Sequence, residues 1–231
     1  MDAVRPHTEP DSAHRMRSVC PTGQTPGKTD IACKSPGVPT LVVVSGSPGT
    51  GKTTLAHQLA RALGCPAIIR DEIKQGMAMS HPGYQSGADD PLNYPTLDAF
   101  FGVLKALLEA RVTLIAEAAF QDRLWRPNLE PLTGLAHLRV IRCTTQAAVA
   151  HDRIVQRAKD NTHRAAHGDQ DLLDAITAGE HSLDSWVPIS LDVPTLTVDT
   201  SDGYQPGLED IADFVRAAIR EGAAPEPKAG G

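Results

Sequence analysis

Short continuous apolar runs alternate along this chain with stretches whose large apolar residues recur every three or four positions. The first run, residues 41–45 (LVVVS), is long and apolar enough to read as a strand buried on both faces. Leu55, Leu59 and Leu63 then fall four apart, and Gly64 is placed to stop the helix they predict. Residues 67–69 read as a second, short strand, and 84–94, rich in Gly, Pro and Asp, as a loop. Leu97, Phe100, Phe101, Leu104, Leu107 and Leu108 form one apolar stripe and predict a strong helix. Further strands are predicted over 112–116, 138–141 and 195–198. Further helices are predicted over 145–160, around Leu172, Leu173 and Ile176, and over Leu208, Ile211, Val215 and Ile219 with Gly222 as the stop. Short strands separated by helices imply a parallel sheet with helices on both faces and right-handed crossovers. Ligands in such sheets gather at the carboxyl ends of the strands, so the chemistry is sought there.

Outside this alternation the pattern lapses. Residues 1–38 are rich in Pro, Gly, Ser, Thr and charge and read as a disordered tail or an added leader; residues 223–231 read as a second tail. This leaves one domain over 39–222, of a size that fits the chain length of 231 residues. The leader holds GQTPGKT at 23–29, which imitates a phosphate loop but is one residue short between its glycines and follows no strand. The apolar share of 41% supports a real core, and aromatics at 4% predict that Leu, Val, Ile and Ala build it. A net charge of -6 argues against a general nucleic-acid binder, which needs surplus Lys and Arg. Four cysteines (20, 33, 65 and 143) show no metal-ligand spacing and read as reduced thiols. No run has the length of a membrane span and no secretory signal opens the chain, so a soluble cytoplasmic protein is expected. Oligomeric state is not legible.

The stretch Gly46-Ser47-Pro48-Gly49-Thr50-Gly51-Lys52-Thr53, followed by Thr54, fits G-x-x-x-x-G-K-[ST] between a strand and a helix. Its glycines let backbone N–H groups face phosphate oxygens, and the next helix adds its positive end. Lys52 is expected on the β- and γ-phosphates and the Thr53 hydroxyl on Mg²⁺. Motors, switches and kinases share this loop. No N-K-x-D guanine reader is found, and no strand ends in Asp-Glu as a motor's would, which leaves small kinases. Asp71 ends the second strand, where a carboxylate can orient an acceptor hydroxyl and take its proton; an N-cap of the following helix is the alternative. Glu117 ends the third strand, as a water-mediated Mg²⁺ ligand, a contact for the acceptor, or a solvated acid. Arg157 and Arg164 are candidates to stabilise the transferring phosphoryl group from a mobile flap. Arg153 is a candidate to stack on adenine; a solvated basic helix is the alternative for all three.

With GSPGTGKTTLA, IIRDEIK, TLIAEAAFQDRLW, the arginines near 157 and 164, and LTVDTSDGY, the chain resembles P-loop kinase-like "AAA family ATPase" proteins. These are related to chloramphenicol phosphotransferase, zeta toxins and the kinase domain of polynucleotide kinase. The resemblance covers residues 39–220. It implies a three-layer P-loop NTPase sandwich with a parallel sheet in the order 2-3-1-4-5, helices on both faces and an Arg-bearing lid. It implies ATP with Mg²⁺ and phosphorylation of a hydroxyl. By matching positions Asp71 is similar to the base and Glu117 to the acid on substrate or metal. Arg123 is similar to an arginine on substrate or phosphate, and the loop at Asp199, Thr200 and Asp202 to the one along the adenine. Glu72, directly after Asp71, departs from the pattern and leaves the choice of base open.

The acceptor pocket is expected between the loop over 80–94, the next helix and the residues after Glu117. His81, Tyr84, Tyr94, Phe120 and Trp125 are its candidate walls. Asp89-Asp90 would suit a cationic group, such as an antibiotic amine. The favoured function is an ATP-dependent phosphotransferase acting on a small hydroxylated molecule, a nucleoside or an antibiotic first. The alternatives are a zeta-toxin-like nucleotide-sugar kinase and an ATP-binding regulatory ATPase without acceptor.

Overall fold

The computed structural model describes residues 37–84, 87, 90–160, 168–179 and 186–223. The leader and tail expected over 1–38 and 223–231 lie, apart from residues 37, 38 and 223, outside the described residues, and so does GQTPGKT. The elements in chain order are β1 (Thr40–Ser45), α1 (Lys52–Leu63), β2 (Ala67–Ile69), α2 (Arg70–Met79), α3 (Asn93–Glu109), β3 (Leu114–Glu117) and α4 (Asp122–Leu129). After a 3-10 turn (Glu130–Leu132) come β4 (His137–Thr144), α5 (Ala147–Asp160), α6 (Asp169–Thr177), β5 (Thr195–Asp199) and α7 (Leu208–Ala223). All strand pairs are parallel, and the five-stranded sheet has the order β2-β3-β1-β4-β5.

The apolar run of β1 explains why the sheet is covered twice. Leu41 and Val43 face one layer, built from Phe100, Leu104 and Leu108 of α3 and Trp125 and Leu129 of α4. Val42 and Val44 face the other, built from Leu55 and Leu59 of α1 and Ile211 and Val215 of α7. A central strand whose four middle positions are all apolar can be buried only between two layers. The scarce aromatics are concentrated in the first layer. Phe100, Phe101, Phe120 and Trp125 form one cluster, with ring centroids 5.1–6.1 Å apart.

Three expected boundaries shift, each for a local reason. β3 starts at Leu114, later than the apolar run suggests, because the chain is still leaving α3. Arg111 has φ 62 and the Val112 N–H donates back to the Leu107 carbonyl at 2.9 Å. β4 runs past its apolar centre to Thr144, since main-chain pairing continues on both sides through Ser45↔Arg142 and Thr144↔Asp199. Gly222 lies within α7 and does not stop it. A side chain there would meet the Val38 carbonyl at 2.5 Å, so this glycine lets α7 press on the segment entering β1. Among the described cysteines, Cys143 is buried, Cys65 is half-buried, and both are free.

Phe100 has no exposed surface and sits at the centre of the aromatic cluster. Phe100→Ala is expected to cost about 3–5 kcal/mol of stability by loss of transfer energy and a residual cavity, read as a fall in the urea midpoint at unchanged m-value.

Candidate active site

The turn from β1 into α1 is held by contacts that only glycine permits. Gly46 has φ 150, and a Cβ there would lie 2.4 Å from the Cys143 carbonyl. Gly49 has φ 80, and a Cβ there would lie 2.5 Å from the Ala150 carbonyl. The loop is thus pressed against the end of β4 and the first turn of α5. Inside it, the Thr50 hydroxyl and the Lys52 ammonium both donate to the Ser47 carbonyl, at 2.8 and 2.9 Å. Pro48 follows on the outer turn, and Gly51, at φ 71, leads into Lys52. Lys52 is buried with the loop wrapped around it.

Next to it, the Thr53 hydroxyl donates to Glu117 Oε2 at 3.0 Å. Glu117 is only 3% exposed and is in register with Val44 and Ile69, at the carboxyl ends of the central strands. Burial pushes its carboxyl above the ordinary range; Lys52 opposes this, and Asp71 adds to it. An oxygen pair of this kind suits Mg²⁺, which takes few protein ligands and keeps water and phosphate as the rest. Among the described residues no group of three or more His, Cys, Asp or Glu forms a metal cage.

On one side of the loop is a cavity of about 390 Å³, lined by Gly49, Gly51, Thr54, Arg153, Arg157, Thr200, Gly203 and Tyr204. Thr200 is buried there, its hydroxyl donating to the Thr50 carbonyl at 2.9 Å. Arg153 donates to the Thr200 carbonyl at 2.6 Å and to the Gly49 carbonyl at 3.5 Å, tying the loop after β5 to the phosphate loop. Asp199 is exposed and off the cavity wall. Its carboxylate accepts from the Ser201 N–H at 2.8 Å, and the bonds to Ser201 hold it below the usual carboxylate range. Arg164 lies outside the described residues. Tyr204 is a wall that sequence reasoning missed; its only signal is its place behind Thr200 in the motif TSDGY.

On the other side is a cavity of about 670 Å³, lined by Arg70, Asp71, Asn93, Tyr94, Phe120, Arg123 and their neighbours. Asp71 stands in the first turn of α2, whose N-cap is Ile69, so it is not the cap residue. Arg70 donates to Asp71 at 3.0 Å and to the Asn93 side chain at 3.1 Å, with its guanidinium 5.8 Å from the centroid of the Phe120 ring. Glu72 turns the other way and pairs with His57 of α1 at 2.8 Å. Of the two adjacent acids, Asp71 alone lines the cavity. Arg70 and Asn93 were not assigned from sequence; an arginine directly before a strand-end acid was the available signal.

Several expected walls lie elsewhere. Trp125 is fully buried in the core behind Phe120, because its helix needs a large side chain against α3, so it cannot touch an acceptor. Tyr84 donates to Asp90 at 2.5 Å and is not on the cavity wall, and His81 bonds the Met77 carbonyl at 2.7 Å. Tyr94, 79% exposed, stands at the mouth. Asp90 does line the large cavity, but the cationic partner expected there is supplied from within: Lys74 reaches it at 2.5 Å, both groups buried, and the Leu92 N–H donates at 2.9 Å. Burial pushes Asp90 up, but Lys74, Tyr84 and Leu92 together outweigh it and hold the acid below its ordinary range. Asp89 lies outside the described residues.

Comparison with known proteins agrees with this architecture. Residues 41–179 match the model of a family described as an AAA domain. An uncharacterized protein of Mycobacterium tuberculosis is 30% identical over 139 residues, and the chain spans 27% of the length of that relative and 54% of its own. Among solved structures, a candidate kinase from Chloroflexus aurantiacus superposes with TM-score 0.65 at 25% identity, covering 78% of this chain and 98% of the other. A sugar kinase from Janibacter superposes at TM-score 0.51 and 20% identity, over 79% and 95% of the two chains. The Mycobacterium tuberculosis APS kinase CysC does so at 0.51 and 17%, over 80% and 99%. The last two share the fold. No helix among the described residues is long and apolar enough to cross a membrane.

The raised pKa of Glu117 carries a stability signature. Folding favours its neutral form, so its contribution is fully favourable below the unfolded pKa and is lost as pH rises through the higher folded value. Glu117→Gln is therefore expected to raise Tm of the nucleotide-free protein at pH 8 and to lose that advantage towards pH 4. A Tm difference between the two proteins that does not change with pH would contradict this account of the buried carboxyl.

Proposed function

This chain belongs to the AAA domain family, and on that premise we propose that it is an ATP-dependent phosphotransferase that moves the γ-phosphate to a hydroxyl of a small molecule. The observation that carries the reading is the second cavity. A protein that only hydrolyses or senses ATP needs the nucleotide side alone. Here an acid in the first turn after β2, Asp71, opens into a separate cavity with Arg123, Asn93, Phe120 and Tyr94 around it. The kinase fold shared with the Chloroflexus protein supports the same reading.

ATP lies with its adenine in the cavity beside Tyr204 and Arg153 and its phosphates in the loop around Lys52. Arg157 lines the same cavity and serves the phosphates, with Arg164, seven residues later in the sequence, as a second candidate. Thr53, and Glu117 through water, would hold Mg²⁺, which supplies positive charge to the β- and γ-phosphates. Asp71, steadied by Arg70, accepts a hydrogen bond from the acceptor hydroxyl. As the acceptor oxygen bonds to γ-phosphorus and the bond to the ADP oxygen breaks, the hydroxyl proton passes to Asp71. Loop N–H groups and Lys52 balance the charge that collects on the ADP side. Phe120 offers an aromatic wall and Arg123 a cationic rim, which suits a ring compound such as a nucleoside or a hydroxylated antibiotic.

A panel of nucleosides, nucleotide sugars, sugars and antibiotics with γ-labelled ATP, scored by the mass gain of the acceptor, tests the reading. Lys52→Ala is expected to abolish ATP turnover. Asp71→Asn is expected to bind ATP as the parent does and to lose transfer by about 10²–10⁴-fold. Full transfer by Asp71→Asn would remove Asp71 from the chemistry. ATP consumption with no phosphorylated product across the panel would point instead to a regulatory ATPase, and selective labelling of nucleotide sugars to the toxin-like reading.

A further inference from the structure

A third, smaller cavity of about 80 Å³ lies between the end of β1, the middle of β4 and the start of β5, lined by Ser45, Val140, Arg142, Trp186, Ile189 and Thr195 among others. That is several times the ~10–15 Å³ needed for one water and enough for a compact charged group. Ser45 and Arg142 are direct register partners, one strand apart. The Ser45 side chain is completely buried, and its hydroxyl has no hydrogen-bond partner among the described residues. Arg142 is half-buried; its Nε is removed from solvent and also lacks a partner. A guanidinium stays charged at any working pH and loses stability when its N–H groups are withdrawn from water without an acceptor. Both residues line this one small cavity, and neither the Ser45 hydroxyl nor the Arg142 Nε–H meets an acceptor among the described residues.

The placement relates this pair of residues to the phosphate loop and to the large cavity. Ser45 directly precedes Gly46, the first glycine of the phosphate loop. The Trp186 indole N–H donates to the Ala119 carbonyl at 3.4 Å, and Ala119 lines the large cavity that holds Asp71. A residue of the small cavity thus touches a residue of the large one. We infer that the Ser45–Arg142 pocket is a subsite for a carboxylate- or phosphate-type oxyanion carried by the acceptor, making this protein a kinase of acidic hydroxyl compounds. The inference rests on the phosphotransfer reading above. It also replaces the cationic acceptor expected from sequence, since Asp90 is already matched by Lys74.

The test has two arms. First, the full chain is saturated with a non-hydrolysable ATP analogue, so that the phosphate loop is filled, and titrated with inorganic phosphate and with acetate. Trp186 reports from the pocket and Trp125, the other tryptophan, from the core. A saturable change in emission is expected, weakened about tenfold or more in Arg142→Gln and less in Arg142→Lys, as for loss of a charge-assisted contact. Ser45→Ala, which removes only the hydroxyl, is expected to weaken it severalfold and serves if the Arg142 variants fail to fold. No saturable response in the parent, or equal affinity in the variants, overturns the subsite.

Second, hydroxy acids and their methyl esters are compared as acceptors. The acid is expected to be preferred, and its KM to rise about tenfold in Arg142→Gln with a smaller change in kcat. Equal use of acid and ester by the parent would make the anion an independent ligand and overturn its assignment to the acceptor. A normal phosphate titration with no phosphorylated acceptor at all would sink the phosphotransfer reading and the acceptor assignment together, while leaving an oxyanion pocket.

Discussion

The whole site depends on a backbone contact. The phosphate loop lies so close to the carbonyls of Cys143 and Ala150 that neither Gly46 nor Gly49 can carry a side chain. This contact fixes the loop against the end of β4 and the start of α5. It brings Arg153 and Arg157 of α5 to the nucleotide side, and lets Arg153 tie in the loop after β5. The sheet order then does the rest. Because β3 pairs with both β1 and β2, Glu117 comes to the side of Thr53, and Asp71, two residues past the end of β2, comes to the same edge.

The charges around this edge are sorted by what faces them. Glu117 is buried beside Lys52 and Thr53, and its protonation is set by burial against the nearby ammonium. Asp71 keeps its place through Arg70, which also contacts Asn93 of α3 and the Phe120 ring. Asp90 is withdrawn from solvent and bound by Lys74, Tyr84 and the Leu92 N–H, so it organises the loop before α3. Buried charges without such partners are costly, and each buried donor left unmatched calls for an explanation. Ser45 Oγ and Arg142 Nε are such donors at the small cavity, as are Arg70 Nε at the large one and Trp125 Nε1 in the core.

Much of the frame was legible along the chain. The apolar run of β1, the glycine spacing after it and the leucine stripe of α3 each depend on neighbours within one or two turns of chain, and each appears as read. The misreadings have a common source. Gly222 looks like a helix stop until α7 is seen pressed against Val38. Trp125 and Asp90 look like binding groups until the core takes the first and Lys74 the second. In each case the residue type was read correctly and its partner was not.

From residues alone came the parallel α/β architecture, the phosphate loop and the two strand-end acids, because backbone conformation, periodicity and the start of a helix are local properties. Only the tertiary structure separated Asp71 from Glu72, by giving one to Arg70 at the large cavity and the other to His57. Only it brought Ser45 and Arg142, nearly a hundred residues apart, onto one pocket. The charge a side chain meets, and whether it meets any, is set by which distant element packs against it, and no spacing along the chain encodes that.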